Sequence, residues 1–555
     1  MATKRKTMER ENDWVCPSDI IDIRMNDHFS TWLKYYGTEE VESSKMLNFI
    51  FKQGRRFEEL IVQLIRQKFQ SVVVISTMYK KPMVLKTIDE MKKGTSVIYS
   101  APLCCETSQM YGVADLLVRS DFINKLVPGT LDEKEETKGC GLSENYHYRV
   151  IDIKFSTLPL RANGTNILDQ DRYPAYKSQL FMYNQMIGKI QGFTPSKAYI
   201  MGRKYKYTTC GTTHHGKGAF DKLGVVDFDT SDSDIPDKTG EAISWVRLCR
   251  REGKEWTRES HPELYPNLKN DSFYSSEKNR IAESIGEITQ LWYCGIDQRE
   301  IALSKGVSSW KNPRFCADLI EMKHQRGVTL DKILEVNRNP FILYTPVNLK
   351  APIQTIEKEF YVDFETMAGP FDDFTKLPLA NPCDMIFMIG VGWYETDEMN
   401  NTMWITHTLT VDQLTPEEEK RILLEFVALV KNGFCYHWSD TEPTGYKNAC
   451  LRHQIEAPLE WIDLLTIVRD EPIAIKGCFN YSLKSVVKAL VSNNFFDIEE
   501  TEITDGGEAM ILAYQEYALK RTPQNSAVLQ EVQKYNYNDV YALAKILSFI
   551  RHNLS

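Results

Sequence analysis

Two short segments each place a pair of charged side chains two residues apart in an otherwise apolar run. The first runs from Tyr148 to Thr157 and carries Asp152 and Lys154; the second runs from Glu359 to Thr366 and carries Asp363 and Glu365. Side chains alternate across a strand. Asp152 and Lys154 therefore share one face, with Ile151, Ile153 and Phe155 on the other. Asp363 and Glu365 share a face in the same way, backed by Phe360, Val362 and Phe364. Charged pairs on strands built for burial are costly unless they bind something. A divalent cation held by the carboxylates accounts for both strands, which suggests two metal-dependent sites.

Other residues supply partners for each pair. Asp115 is an acid within the apolar run Tyr111–Val118. With Asp152 it forms an oxygen donor set of the kind Mg²⁺ or Mn²⁺ prefers. An ion there would acidify a water molecule and polarise a scissile phosphate, and Lys154 beside it would orient that water or stabilise the developing phosphorane charge. Gln179 and Tyr183 stand four residues apart and fall on one face of a helix expected over about 175–188, where they can position a phosphate or the lysine. Glu58 lies beside the helical stripe Phe57, Leu60, Ile61, Leu64 and Ile65. For the second strand, Tyr535 and Asp539 are again four residues apart on a helix. An Asp-x-Glu strand with a Tyr-x-x-x-Asp helix outlines a two-metal site in which the tyrosine positions the attacking water.

The chain that must hold these groups has 555 residues, which implies two to four domains. Its 42% hydrophobic and 26% charged residues are those of an ordinary globular protein, and no apolar run is long enough for a membrane span. A net charge of −9 argues against a uniformly basic nucleic-acid coat, but not against a local basic groove. The amino terminus lacks the apolar core of a secretory signal; Lys4-Arg5-Lys6 reads as a solvated terminus or a nuclear address. Twelve cysteines without a Cys-x-x-Cys fit reduced, intracellular thiols and offer no zinc or iron–sulfur spacing. Strands are expected at 71–77, 96–100, 111–118, 148–155 and 197–201, a charged insertion at 127–145, and a polar Gly/Thr/His loop up to about Gly218. Residues 240–345 read as helical, with a helix over 285–292, a turn at Gly295, a second helix from Gln298 and a stop at Gly306. That pattern fits a helix-hairpin-helix-like clamp on DNA or a small helical connector. Arg247, Arg250, Arg251, Trp256, Trp292, Trp310, Lys311 and Arg314 within and around it suit a single-stranded nucleic acid or an ordinary helical surface with buried tryptophans. Beyond residue 350 the chain turns α/β, with a strand at 384–394, a helix at 416–432, a strand ending at His437, and then helices.

The ordered set Gly54…Glu58, Asp115, Asp152-x-Lys154 and Gln179…Tyr183 resembles the RecB-like branch of the PD-(D/E)XK nucleases, and the opening at Cys16-Pro17-Ser18-Asp19 resembles that family's entry helix. Asp363-x-Glu365 with Tyr535…Asp539 resembles the ribonuclease H-like DEDD exonucleases of the tyrosine type, and the stretch from Trp461 through Lys484 fits their middle. Their usual Asn-x-x-Phe-Asp is replaced here by His437-Trp438-Ser439-Asp440-Thr441-Glu442. The resemblance points to Glu442 as the fourth carboxylate, ahead of Asp440 and Asp463, with Asp463 capping or positioning a helix. It implies an α/β chain with a flexible terminus at 1–13, a restriction-endonuclease-like nuclease domain at 14–235, a helical connector at 236–350 and a ribonuclease H-like 3′–5′ exonuclease domain at 351–555. The implied ligands are Glu58, Asp115 and Asp152 at one site and Asp363, Glu365, Glu442 and Asp539 at the other, with Lys154, Gln179, Tyr183 and Tyr535 catalytic. The implied activity is hydrolysis of DNA with single-stranded ends, in processing, repair or recombination. A separate helicase or repair protein is the expected partner, since no Walker motif is present. The residues leave open an RNA substrate and a non-catalytic nucleic-acid-binding scaffold.

Overall fold

The alternating apolar runs of the first half build one mixed sheet in the computed structural model, which describes residues 13–37, 45–69, 72–76, 78–216, 218–270, 272–345, 358–367 and 384–554. The run Lys4-Arg5-Lys6 lies outside these. The chain divides into two compact units: one made of residues up to 43, 50–278 and 372–382, the other of the remainder. Helix Ile235–Glu252 therefore belongs with the first unit, beyond the boundary expected at 235; it packs on helices Pro17–Arg24 and Tyr173–Gln191. Among the described residues no helix is long and apolar enough to cross a membrane.

The first unit orders its strands β1 (Val72–Val74), β2 (Val97–Cys105), β3 (Met110–Arg119), β4 (Tyr148–Pro159), β5 (Lys197–Thr209) and β6 (Thr212–His215), with β7 (Gly224–Asp227) also paired to β5. β3 and β4 are antiparallel, while β4 and β5 are parallel and joined through the Tyr173–Gln191 helix. One sheet face, including Ile98, Ala114, Val150 and Ile200, packs with Leu180, Tyr183 and Ile187 of that helix. The opposite face, including Leu116, Ile151, Ile153 and Met201, packs with Phe57, Ile61, Val62 and Ile65 of helix Lys45–Lys68. The apolar stripe of that helix thus covers the side of the sheet that the alternation assigns to Ile151 and Ile153.

Two local expectations are corrected. The Gly/Thr/His segment before Gly218 is a hairpin rather than a loop. β5 continues to Thr209 and pairs with β6 across Cys210 and Gly211. Both residues have positive φ (48° and 76°), as a tight two-residue turn requires. The expected helix 285–292 is also absent. Helix Ser275–Ile285 ends at Gly286 (φ 68°), Ile288–Gln290 forms one 3₁₀ turn, and helix Ile296–Ser304 follows. The left-handed glycine stops a helix that apolar spacing alone would carry onward.

A fully buried ion pair braces the crossover helix. Lys177 Nζ lies 2.6 Å from Asp232 Oδ1 and 2.7 Å from Asp169 Oδ1, and donates to the carbonyl of Ile167 at 2.8 Å. Lys177→Met leaves the Asp232 carboxylate buried without its cation and is expected to destabilise the first unit by about 3–5 kcal/mol in denaturant unfolding. Adding Asp232→Asn should recover most of that loss.

The second unit forms a five-stranded sheet in the order β10-β9-β8-β11-β12. β8 (Glu359–Met367), β9 (Met385–Thr396) and β10 (Thr402–Thr410) are antiparallel neighbours; β11 (Phe434–His437) and β12 (Glu460–Asp463) continue in parallel from β8. β10 and β12 occupy stretches expected to hold no strand. Each is an edge strand without a fully buried residue, so neither shows the apolar run that marks a core strand. Phe360, Val362 and Phe364 pack on one face with helix Pro416–Val430. Tyr361 on the other face meets Val540, Leu543 and Leu547 of helix Ala527–Asn553. Gly390 and Gly392 of β9 lie opposite Asp363 and Tyr361. A Cβ at Gly390 would fall 2.1 Å from Asn536 Oδ1 and 2.7 Å from Val540, so this glycine lets the long helix sit on the sheet, while one at Gly392 would fall 2.4 Å from the Trp404 ring and 2.9 Å from Val540.

Candidate active sites

In the first unit Asp152 and Lys154 sit on β4, on the face turned to the Tyr173–Gln191 helix, and that helix brings Gln179 and Tyr183 to them. Asp152 is fully buried, and its Oδ2 forms an ion pair with Lys154 Nζ at 2.7 Å. Gln179 Nε2 donates to Asp152 Oδ1 at 3.2 Å, while Lys154 Nζ donates to Gln179 Oε1 at 3.4 Å and lies 4.6 Å from the centre of the Tyr176 ring. Gln179 Nε2 also reaches the Tyr183 hydroxyl at 3.4 Å. Gly112 of β3 provides room for Tyr183, whose ring a Cβ there would approach to 2.7 Å.

Asp115 on β3 lies one step beyond the paired residues Leu116 and Ile151, which places it opposite Asp152. Its Oδ2 accepts from the backbone N–H of Ile153 at 2.7 Å. Burial, then the charge of Asp152, hold Asp115 well above the ordinary carboxylate range, against the pull of Lys154. Glu58 is raised mainly by burial, opposed by a hydrogen bond from Tyr99; the charge of Asp152 adds to the rise. Burial works against the Lys154 ammonium, but Asp152 and Asp115 outweigh it and hold it charged. Four of the six expected groups, Asp152, Lys154, Gln179 and Tyr183, are thus linked by hydrogen bonds or an ion pair, and Asp115 and Glu58 join them through the field. Among the described residues, three acidic side chains whose ligand atoms all lie within 4.8 Å of one another occur only in the second unit.

That trio is Asp363, Glu365 and Asp539. β8 supplies the first two on one face, and the Ala527–Asn553 helix supplies the third. Burial raises all three carboxyls, and neighbouring carboxylates raise Asp363 and Glu365 further. Glu365 is pushed up to about 8 by burial and Asp539, with Lys484 opposing; Asp363 is raised well above its usual range by burial, Asp539 and Glu365. Asp539 is raised by burial against the pull of Lys484. Three acids this unwilling to ionise together make a donor set suited to a hard divalent cation, which would relieve the repulsion. Tyr535, one turn before Asp539, is buried, and burial with the charge of Asp539 raises its hydroxyl.

Glu442 stands in the first turn of helix Thr441–His453, buried, with Oε2 lacking a hydrogen bond and 3.6 Å from His437 Nδ1. It contributes to the field at Asp363 and Glu365 but lies outside the 4.8 Å trio. Asp463 caps helix Leu464–Asp470, accepting from Leu465 N at 2.9 Å and Thr466 Oγ1 at 2.6 Å. The basic residues expected to track a strand are engaged within their own units. Arg250 pairs with Asp19 at 2.9 Å, Arg247 donates to the Asp13 and Ser108 carbonyls, Lys311 to the Glu283 carbonyl and Arg314 to the Lys305 carbonyl.

One group had no role assigned from sequence. Asn536 Nδ2 donates to Asp363 Oδ2 at 2.7 Å and to the Asp363 carbonyl at 3.3 Å, in the space Gly390 leaves. The visible signal was the pairing of a Gly-x-Gly strand with an asparagine next to Tyr535. Asn536→Ala is expected to weaken Mn²⁺ binding in this unit about tenfold, as loss of a group that orients a ligand does. Gly390→Ala should do the same by pushing Asn536 away. Calorimetric titration of each variant checks both.

A family model described as the RNase_H superfamily (RNase_H_2) matches residues 371–550. The match takes in Glu442, Tyr535 and Asp539 and begins just after the strand that carries Asp363 and Glu365. No curated protein matches the chain. Residues 371–550 are thus similar to the ribonuclease H superfamily, a fold commonly built around divalent-metal nuclease sites.

Proposed function

We propose that the chain is a metal-dependent nuclease that hydrolyses phosphodiester bonds of DNA at two sites: a RecB-like PD-(D/E)XK site around Asp152 and Lys154, and a ribonuclease H-like exonuclease site around Asp363, Glu365 and Asp539. The observation that carries this reading is the convergence of Asp363, Glu365 and Asp539 within 4.8 Å beside Tyr535, in a unit that matches the ribonuclease H superfamily.

A bound Mg²⁺ or Mn²⁺ would supply Lewis acidity toward a phosphate and a water of lowered pKa. Asp363, Glu365 and Asp539 would hold it at one site, Asp115 and Asp152 at the other, with Glu442 and Glu58 as the more distant acids. The residues of the chain do the rest. Tyr535 remains protonated, since burial and Asp539 raise its hydroxyl, and so presents a fixed O–H for orienting the attacking water. Lys154, held charged beside Asp152, would offer an ammonium to the phosphorane oxygens. Gln179 bridges Asp152, Lys154 and Tyr183 and fixes the position of the lysine. The substrate we favour is DNA with single-stranded ends, delivered by a separate unwinding or repair protein.

The test is cleavage of end-labelled single- and double-stranded DNA, and of matched RNA in competition, with Mg²⁺ or Mn²⁺. It compares the wild type with Asp152→Ala/Lys154→Ala and with Asp363→Ala/Glu365→Ala. Loss of part of the cleavage in each pair supports two sites. Cleavage unchanged in both pairs removes both assignments, and binding without cleavage by the wild type leaves a scaffold.

A further inference from the structure

Lys484 lies in the second unit, in the first turn of helix Leu483–Ser492, whose cap is Ser482. A cation there opposes the helix dipole, so its position needs a separate reason. Its ammonium sits 3.8 Å from the centre of the Tyr535 ring and 3.9 Å from Asp539 Oδ2, and its charge pulls down both Glu365 and Asp539. Neither contact is a close hydrogen-bonded pair, and the Lys484 side chain is 46% exposed. The lysine therefore neutralises the acidic cluster loosely, with its head at the solvent edge of the site. A divalent cation on Asp363, Glu365 and Asp539 removes the attraction that holds the ammonium there, while a nucleic-acid end brings a phosphate to the same edge.

We propose that Lys484 is an exchangeable counter-ion of the second site: it neutralises Asp539 when no cation is bound and transfers to a phosphate oxygen of the substrate when the cation loads. This rests on the nuclease reading of that site. Two consequences of opposite sign follow. The lysine competes with the metal, and it assists the substrate. A lysine that only propped the site would favour both.

The test uses the full-length protein carrying Asp152→Ala with Lys154→Ala, so that the first site is disabled. Mn²⁺ binding is read by calorimetry, and binding of a labelled three-nucleotide DNA by anisotropy in Ca²⁺. Lys484→Met is expected to tighten Mn²⁺ binding about threefold to tenfold and to weaken trinucleotide binding about tenfold. Lys484→Arg should restore trinucleotide binding. If either constant stays at the Lys484 value in Lys484→Met, or both weaken, the proposal is overturned. Should Lys484→Met fail to fold, Lys484→Gln is read by the same two constants. A Lys484-containing protein that binds no Mn²⁺ in this unit overturns the nuclease reading itself, and the inference with it.

Discussion

Asp363→Asn combined with Glu365→Gln is expected to raise the melting temperature of the ion-free protein at pH 8, on the order of 5 °C, while abolishing Mn²⁺ binding by the second unit. The reason is the state of the acids. Glu365 is pushed up to about 8 in the folded chain, and Asp363 is raised well above its usual range, because burial and neighbouring carboxylates penalise the ionised forms. A carboxyl whose folded pKa exceeds its unfolded value binds more protons folded than unfolded, so stability falls as pH rises between the two. For Glu365 that window runs from the ordinary glutamate range, about 4.3, to about 8. The ion-free wild type should thus lose melting temperature steadily from pH 5 to pH 8, and the amide pair should flatten that slope. Mn²⁺ should restore the wild type and leave the variant unchanged. Scanning calorimetry at several pH values, with and without Mn²⁺, gives all four curves.

Asp152→Ala with Lys154→Ala is expected to lower cleavage at the first site about 10³-fold or more, because it removes a ligand and the charge aimed at the phosphorane together. The two must be changed as a pair. Asp152 and Lys154 form an ion pair at 2.7 Å around a carboxylate with no exposure, so either change alone strands the partner's charge and mixes instability into the rate. Measured in a protein whose second site is disabled by the amide pair above, the loss belongs to the first site alone. Cleavage that persists at full rate would leave the Asp152 strand as a structural ion pair.

What could be read in advance tracks how local each signal was. The two charged strands, the apolar faces behind them and the i, i+4 pairs on helices follow from periodicity, and the structure places them as the alternation requires. β10 and β12 were not legible because an edge strand buries too little to leave an apolar run. The β5–β6 hairpin was hidden by a polar composition whose informative part is a two-residue turn at Cys210-Gly211. The bond of Asn536 to Asp363 depends on a glycine in a third element, a coincidence that no single window contains. Glu442 follows from a family pattern, and it lies near the second trio, 3.6 Å from His437 Nδ1, rather than within the 4.8 Å group.

The two sites also differ in when they can exist. Asp115 and Ile153 bond across 38 residues, and Gln179 reaches Asp152 across 27, so the first constellation closes through short loops within one stretch of chain. Asp363 meets Asn536 across 173 residues, through the helix that carries Asp539. Long closures are slow and come late. On a ribosome, the first constellation can assemble while the second unit is still being made, whereas the acidic strand of the second unit waits, unpartnered, for residues 535–539 to emerge.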